Sequence, residues 1–154
     1  MQGYIHPRTQ AILEDSGLAS YGERIIGSGP MKSDYIEALI SEDLGGTPLT
    51  KSMKKIEFVW TFDAIYFVAI NVYLCYRFPW RQVTSLEIVS TSKGLVGLGT
   101  LLGGGRPEFV DMILRTSNEV VDLNLGGLGP SGGLAEMDAK DLLRTHKLNG
   151  PSQD

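Results

Sequence analysis

The sequence predicts an α+β fold in which several β-strands follow one another and a single helix ends the domain. Three observations predict it. Apolar and polar residues alternate from residue 56 onwards, glycine is absent from residues 47–93, and residues 134–147 carry apolar side chains at helical spacing. Because strands in succession followed by one helix do not make an alternating βαβ sheet, this order favours a barrel or a sandwich.

The first strands are predicted from the glycine-free middle of the chain. Apolar residues occupy every second position of 56–62, a period that a helix does not produce. Residues 65–70 are rich in β-branched and aromatic side chains, and alternation resumes until Pro79, which has no N–H to donate to a neighbouring strand. A further strand is predicted at 82–89. The turn between the second and third strands is weakly marked, so these two are also compatible with one long bent strand.

The last part of the chain predicts a hairpin and a helix. Residues 109–115 and 120–125 flank the polar tetrad 116–119, which is typical of a turn. The helix at 134–147 is expected to stop at Asn149-Gly150-Pro151.

The first third of the chain differs from the rest in charge. Residues 1–50 hold three basic and seven acidic side chains, which accounts for the whole formal net charge of -4. We interpret it as an acidic N-terminal extension with two short helices, one at 7–14 and one capped by Ser33 or Asp34. The second helix has an apolar stripe that must be buried, either on its own domain or on a partner. The stripe residues that are candidates for partner binding are Tyr35, Ile36, Leu39 and Ile40.

Twelve residues at 94–105 form a glycine-rich, apolar segment between two predicted strands. One interpretation is a flexible connection; the other is a contact surface for another protein or, as a less favoured case, for a membrane surface. The candidate partner-binding residues in this segment are Leu95, Val96, Leu98, Leu101 and Leu102. Its glycine spacing approaches a dinucleotide fingerprint, but Gly-Gly-Gly-Arg-Pro at the exit does not continue as a helix. We therefore expect no cofactor.

Two segments resemble a known superfold. They are DAIYFV at 63–68 and FPWRQVTSLEI at 78–88, and both are similar to segments of the PH-like superfold, particularly its bacterial PH and GRAM-like branches. The resemblance covers residues 54–147 approximately. It implies a bent antiparallel β-barrel of about six or seven strands capped by the C-terminal helix. It also implies a binding module for lipids, peptides or proteins more than an enzyme. The expected division is then an extension at 1–50, the barrel with its helix at 51–149, and a tail at 150–154.

Composition and spacing argue against several classes. The single Cys75 indicates a reducing, cytoplasmic location, and no signal peptide or transmembrane segment is expected. The acidic balance argues against nucleic-acid binding. His6 and His146 lie at opposite ends of the chain, so neither a metal site nor a hydrolytic triad is predicted.

Within the superfold that this sequence resembles, the PH domains that bind phosphoinositides carry basic residues on their first strand and in the loop that follows it. Lys51, Lys54 and Lys55 precede the first predicted strand here. The turn after that strand contains Asp63, whose carboxylate would repel phosphate, so specific phosphoinositide binding is not expected.

The function predicted from the sequence is a non-enzymatic, intracellular adaptor or assembly subunit that binds a protein partner or forms a homo-oligomer. The first alternative is a peripheral lipid or membrane-surface module of the GRAM or PH kind. The second is a small-ligand binding barrel. That alternative requires an internal cavity, whereas five bulky side chains are expected to fill the interior, namely Phe58, Trp60, Phe62, Phe78 and Trp80.

Overall fold

A computed structural model describes residues 5–93, 108–127 and 134–151, which form a seven-stranded antiparallel sheet with helices. The strands are β1 (Ile25–Lys32), β2 (Ile56–Thr61), β3 (Ala64–Ala69), β4 (Leu74–Pro79), β5 (Ser85–Lys93), β6 (Glu108–Arg115) and β7 (Val120–Gly127). The helices are α1 (Pro7–Asp15), α2 (Leu18–Tyr21), α3 (Asp34–Asp43) and α4 (Leu134–Asn149), with 3-10 turns at Ser52–Lys54 and Trp80–Gln82. The predicted α+β class is confirmed.

The sheet has the strand order β4-β3-β2-β1-β7-β6-β5 and is not closed into a barrel, which corrects that part of the prediction. Its outermost strands, β4 and β5, are not hydrogen-bonded to each other. In the described part of the chain, the strands of the two halves are paired where β1 meets β7, at Met31–Leu125 and Lys32–Asn124. Because inward-facing residues of both halves belong to one core, the sheet is bent across this short junction.

The central strand β1 lies inside the segment that the sequence predicted to be a helical extension. Its sequence is IIGSGPMK. Glycine and proline are depleted in strands, so this segment was not predicted to be one. The structure shows why glycine is needed at two of its positions. A Cβ at Gly27 would lie 2.3 Å from the Trp60 ring, and one at Gly29 would lie 2.9 Å from the Phe58 ring. The aromatic rings of β2 therefore occupy the space next to the backbone of β1.

The main core lies between the bent sheet, α3 and α4. Trp80 and Phe58 are among its largest buried side chains, and the Trp80 indole N–H donates to the Thr61 carbonyl at 2.9 Å. Four of the five aromatic residues expected in the interior are buried there. The exception is Phe62, which is 57% exposed.

A second, smaller core covers the outer face of β2 and β3. It joins α1 and α2 to the sheet through Ile12, Leu13, Leu18, Val59, Tyr66 and Val68. All six residues of β3 are buried, because helices or strands cover both of its faces. The continuous apolar sequence AIYFVA is the consequence.

The β3–β4 turn, the last hairpin and the end of the C-terminal helix lie close to where the sequence pattern predicts them. A turn separates β3 from β4, with Tyr73 in the left-handed region at φ 58°, so these are two strands and not one bent strand. The hairpin of β6 and β7 crosses the predicted tetrad, where the Thr116 N–H donates to the Glu119 carbonyl at 3.0 Å. After α4, the Gly150 N–H donates to the His146 carbonyl at 2.7 Å and closes the last turn.

Candidate functional site

Four lysine side chains surround one open cleft at the junction of β1, α3 and β2. We call it the lysine cleft, and its volume is about 530 Å³. The lysines are Lys32, Lys51, Lys54 and Lys55, and the other lining residues are Pro30, Met31, Asp34, Glu37, Ile56 and Gly126.

The chain fold explains how these lysines meet. Lys32 is the last residue of β1, while Lys51, Lys54 and Lys55 lie at or beside the 3-10 turn that leads into β2. Because Met31 pairs with Ile56, the adjacent ends of β1 and β2 bring Lys32 and Lys55 to the same place. The segment between β3 and β4 holds this 3-10 turn in place, since the Asn71 side-chain amide donates to the Ser52 carbonyl at 2.9 Å.

The charges of the lysine cleft are mostly uncompensated. Lys54 forms an ion pair with Glu37 at 3.5 Å. Within the described residues, Lys32, Lys51 and Lys55 form no ion pair. Asp34 contributes a second carboxylate to the lining, so four ammonium groups face two carboxylates. This local excess of positive charge stands against a chain whose formal net charge is -4.

The first turn of α3 borders the cleft, but its N–H groups are already used. The Ser33 hydroxyl accepts from the Ile36 N–H at 3.1 Å, so Ser33 is the N-cap of the two predicted candidates. The Asp122 carboxylate accepts from the N–H groups of Asp34 and Tyr35, at 2.8 and 2.9 Å. The helix therefore has its own anion at its N-terminus, and the lysines are the groups left for a ligand.

Tyr35 fixes α3 to the β6–β7 hairpin at a second point. Its hydroxyl donates to the Glu119 carboxylate at 2.5 Å. This hydrogen bond to a carboxylate, together with burial, raises the pKa of Tyr35 to about 12. The tyrosine is thus neutral and bonded at neutral pH.

The structure places the predicted partner-binding stripe against the chain's own core. Ile36 and Ile40 are fully buried, and Tyr35 and Leu39 are partly buried against the same cluster. In this arrangement the stripe of α3 packs on the chain's own core. The other candidates, Leu95, Val96, Leu98, Leu101 and Leu102, lie outside the described residues.

The first strand of the sheet is β1 and not the strand that the sequence predicted to be first. Lys51, Lys54 and Lys55 lie between β1 and β2, after α3. Asp63 lies in the β2–β3 turn and lines a different cleft, so its charge does not belong to this site. Sequence reasoning found three of the four lysines but compared them with the wrong strand. It missed Lys32, which could have been found only from the register of β1 with β2, because that register places Lys32 beside the other lysines.

Cys75 and His146, the side chains that could supply a thiolate or a base, are each partly buried in the fold. Burial raises the pKa of the Cys75 thiol to about 11, so the reactive thiolate is disfavoured. His146 Nε2 lies 2.7 Å from the Val83 carbonyl, which can only accept, so this nitrogen carries the proton. Across residues 5–93, 108–127 and 134–151, no group of three or more His, Cys, Asp or Glu side chains is placed to hold a metal ion.

Comparisons with known proteins bear on the fold alone. No protein-family model matches the chain, and no curated protein matches it. Among solved structures, the chain is similar to the crystal structure of the C-terminal domain of an unknown protein from Leishmania infantum, with a TM-score of 0.53. The likeness covers 90% of this chain and 97% of that chain at 9% sequence identity. None of the helices in the described part of the chain has the length and apolarity that crossing a bilayer requires.

Proposed function

We propose that the chain is a non-enzymatic binding module of the PH-like kind, and that its lysine cleft binds the phosphate-bearing headgroups of an anionic membrane surface. The observation that carries the proposal is the gathering of Lys32, Lys51, Lys54 and Lys55 around one cleft. The seven antiparallel strands followed by a C-terminal helix support the PH-like assignment, because the resemblance implies this order of elements.

The energetics favour a surface carrying many negative charges. Each lysine near an anionic membrane contributes about 1 kcal/mol, and this contribution falls within a Debye length. Ammonium groups on flexible stems act as point charges and do not require one fixed phosphate geometry. The cleft is therefore expected to respond to the charge density of the membrane and to the salt concentration.

The two other functions predicted from the sequence have different support. A ligand-binding interior is disfavoured, because bulky side chains such as Phe58, Phe67 and Trp80 fill the space between sheet and helices. Binding to a protein partner requires exposed side chains, which the buried Ile36 and Ile40 of α3 do not supply.

Vesicle co-sedimentation tests the proposal. The chain is expected to sediment with phosphatidylcholine vesicles that contain phosphatidylserine or phosphatidylinositol phosphate, and to stay in solution with phosphatidylcholine alone. Replacing Lys51 and Lys55 by glutamine removes two charges, and we expect affinity to fall about 30-fold. The matched control replaces Lys140 and Lys147 on α4, which changes net charge equally but leaves the cleft intact. Equal sedimentation with neutral and anionic vesicles would refute the proposal.

A further inference from the structure

A second cleft lies where the β2–β3 turn, the end of β4 and the C-terminal end of α4 meet. We call it the arginine cleft. Its volume is about 590 Å³, and it shares no lining residue with the lysine cleft. The residues that matter here are Tyr21, Phe62, Asp63, Arg77, Arg81 and Leu148.

Exposed apolar side chains are concentrated at the arginine cleft. Tyr21 is 58% exposed, Phe62 57% and Leu148 72%, and these are three of the seven exposed large hydrophobic residues of the described chain. Phe62 occupies a tight turn, where polar residues are usual, and it does not reach the core that the sequence predicted for it. Large apolar groups gathered on a surface mark a contact site.

A partly buried ion pair forms the floor of this cleft, with the Arg77 side chain 26% exposed. Arg77 donates from its terminal nitrogen to Glu23, and its Nε–H donates to the Tyr66 hydroxyl at 2.9 Å. The Glu23 side chain is completely buried and also accepts from Tyr66 at 2.7 Å and from Thr61 at 3.0 Å. The Tyr21 ring covers the guanidinium at 4.1 Å. Arg77 is thus held in place before any ligand arrives.

The groups left for a ligand are mainly cationic donors. Glu23 faces inward and is saturated by its three donors, so it offers nothing to a ligand. Among the described residues, Arg81 has neither an ion pair nor a hydrogen bond, and Arg77 has N–H groups without a partner. Asp63 is the exposed carboxylate of the lining, and it suits a backbone N–H of an extended peptide.

We infer that the arginine cleft binds an extended segment of a partner protein in which an acidic residue adjoins a large apolar one. Two guanidinium groups match a carboxylate, which they bind through paired N–H donors. The apolar side chain fits between Phe62 and Leu148, whose exposure it would remove. This inference stands on residues that the lysine cleft does not use, so either site can fail without the other.

Selection of random peptides displayed on phage tests the inference, with the full chain as the immobilised target. We expect enrichment of peptides that contain Asp or Glu beside Leu, Ile or Phe. For a synthetic peptide from that pool, Phe62→Ser and Arg81→Gln should each weaken binding about tenfold, as truncation of a central contact residue does. Both side chains are exposed, so the variants are expected to fold.

Two controls make the outcome specific. Val120→Ser removes an apolar side chain of similar exposure, 56%, on β7, and Lys51→Gln with Lys55→Gln alters the lysine cleft. Both should leave peptide affinity unchanged. The inference is overturned if no peptide is enriched, if the enriched peptides lack acidic residues, or if both cleft variants bind as tightly as the parent chain. It is equally overturned if the two variants lose vesicle binding instead of peptide binding.

Discussion

The Asp122 carboxylate on β7 accepts a hydrogen bond from the backbone N–H of Tyr35 at 2.9 Å, and so holds the start of α3 against the sheet. The same carboxylate accepts from the Asp34 N–H at 2.8 Å. A residue 87 positions away in sequence thereby completes the helix terminus that borders the lysine cleft. The same helix carries Glu37, which forms an ion pair with Lys54 in the cleft.

Replacing Asp122 by alanine should destabilise the protein by about 2 kcal/mol, because two N–H groups at the helix start lose their acceptor. Urea unfolding followed by circular dichroism measures the change. Glu87→Ala serves as the control, since its ion pair with Arg115 is exposed and is worth less than about 1 kcal/mol. Equal unfolding midpoints for the Asp122 and Glu87 variants would contradict the role assigned to Asp122.

Replacing Gly27 by alanine should also destabilise the fold, by about 1–3 kcal/mol, as overpacking does. The new Cβ would lie 2.3 Å from the Trp60 ring. A second substitution, Trp60→Leu, removes that ring, and the cost of Gly27→Ala measured in the Trp60→Leu background should be smaller. Thermal unfolding of the four proteins gives this difference. Strictly additive effects would show that the two residues do not compete for space.

Asp138 on α4 should make stability depend on pH. Burial, followed by the charge of Asp141, raises the pKa of Asp138 to about 6 from 3.8. Because the folded pKa is higher than the unfolded one, folding favours the protonated form. The stabilisation is present below about pH 4 and is lost as pH rises through 6. Asp138→Asn should therefore be more stable than the parent by about 1 kcal/mol at pH 7.

Urea unfolding at pH 7 and at pH 4 tests this expectation, since the advantage of the Asp138→Asn variant should vanish at the lower pH. The control is Asp63→Asn, which neutralises an exposed carboxylate in the β2–β3 turn and should leave stability close to that of the parent at both pH values. A constant difference between Asp138→Asn and the parent across both pH values would contradict the raised pKa.

Replacing Glu37 by glutamine should tighten binding to anionic vesicles about fivefold. The change removes one of the two carboxylates in the lysine cleft and frees Lys54 from its ion pair, which adds about 1 kcal/mol of attraction. Glu136→Gln breaks a similar ion pair with Lys140 on α4 and should have no such effect. Co-sedimentation over a range of lipid concentrations gives both affinities. Weaker binding of the Glu37 variant would mean that its carboxylate helps to hold the ligand.

Much of the fold follows from local patterns. Alternation identified β2, the polar tetrad identified the β6–β7 hairpin, and the capping residue Ser33 marked the start of α3. The sequence pattern did not predict β1, because the rings of Trp60 and Phe58 require glycine opposite them and this requirement appears only when the strands are paired. The pattern also did not predict that the sheet is open, since closure depends on whether β4 meets β5 and not on the residues within either strand.

The candidate sites depend on contacts between distant segments. Lys32 is separated from Lys51 by the whole of α3, and the register of β1 with β2 brings them together. In the arginine cleft, Glu23 and Arg77 meet across 54 positions of sequence. No local spacing in the sequence predicts either arrangement, because each is created by strand pairing in the sheet.

The most direct test of the lysine cleft is an NMR titration of the isotope-labelled chain with nanodiscs that contain phosphatidylserine, compared with nanodiscs of phosphatidylcholine alone. We expect the anionic discs alone to produce changes, concentrated in the amides of residues 31–37 and 51–56 and in the lysine Nζ signals of the cleft. These changes should weaken as salt is added. Changes that are equal with both kinds of disc, or that lie outside these residues, would contradict membrane binding through the lysine cleft.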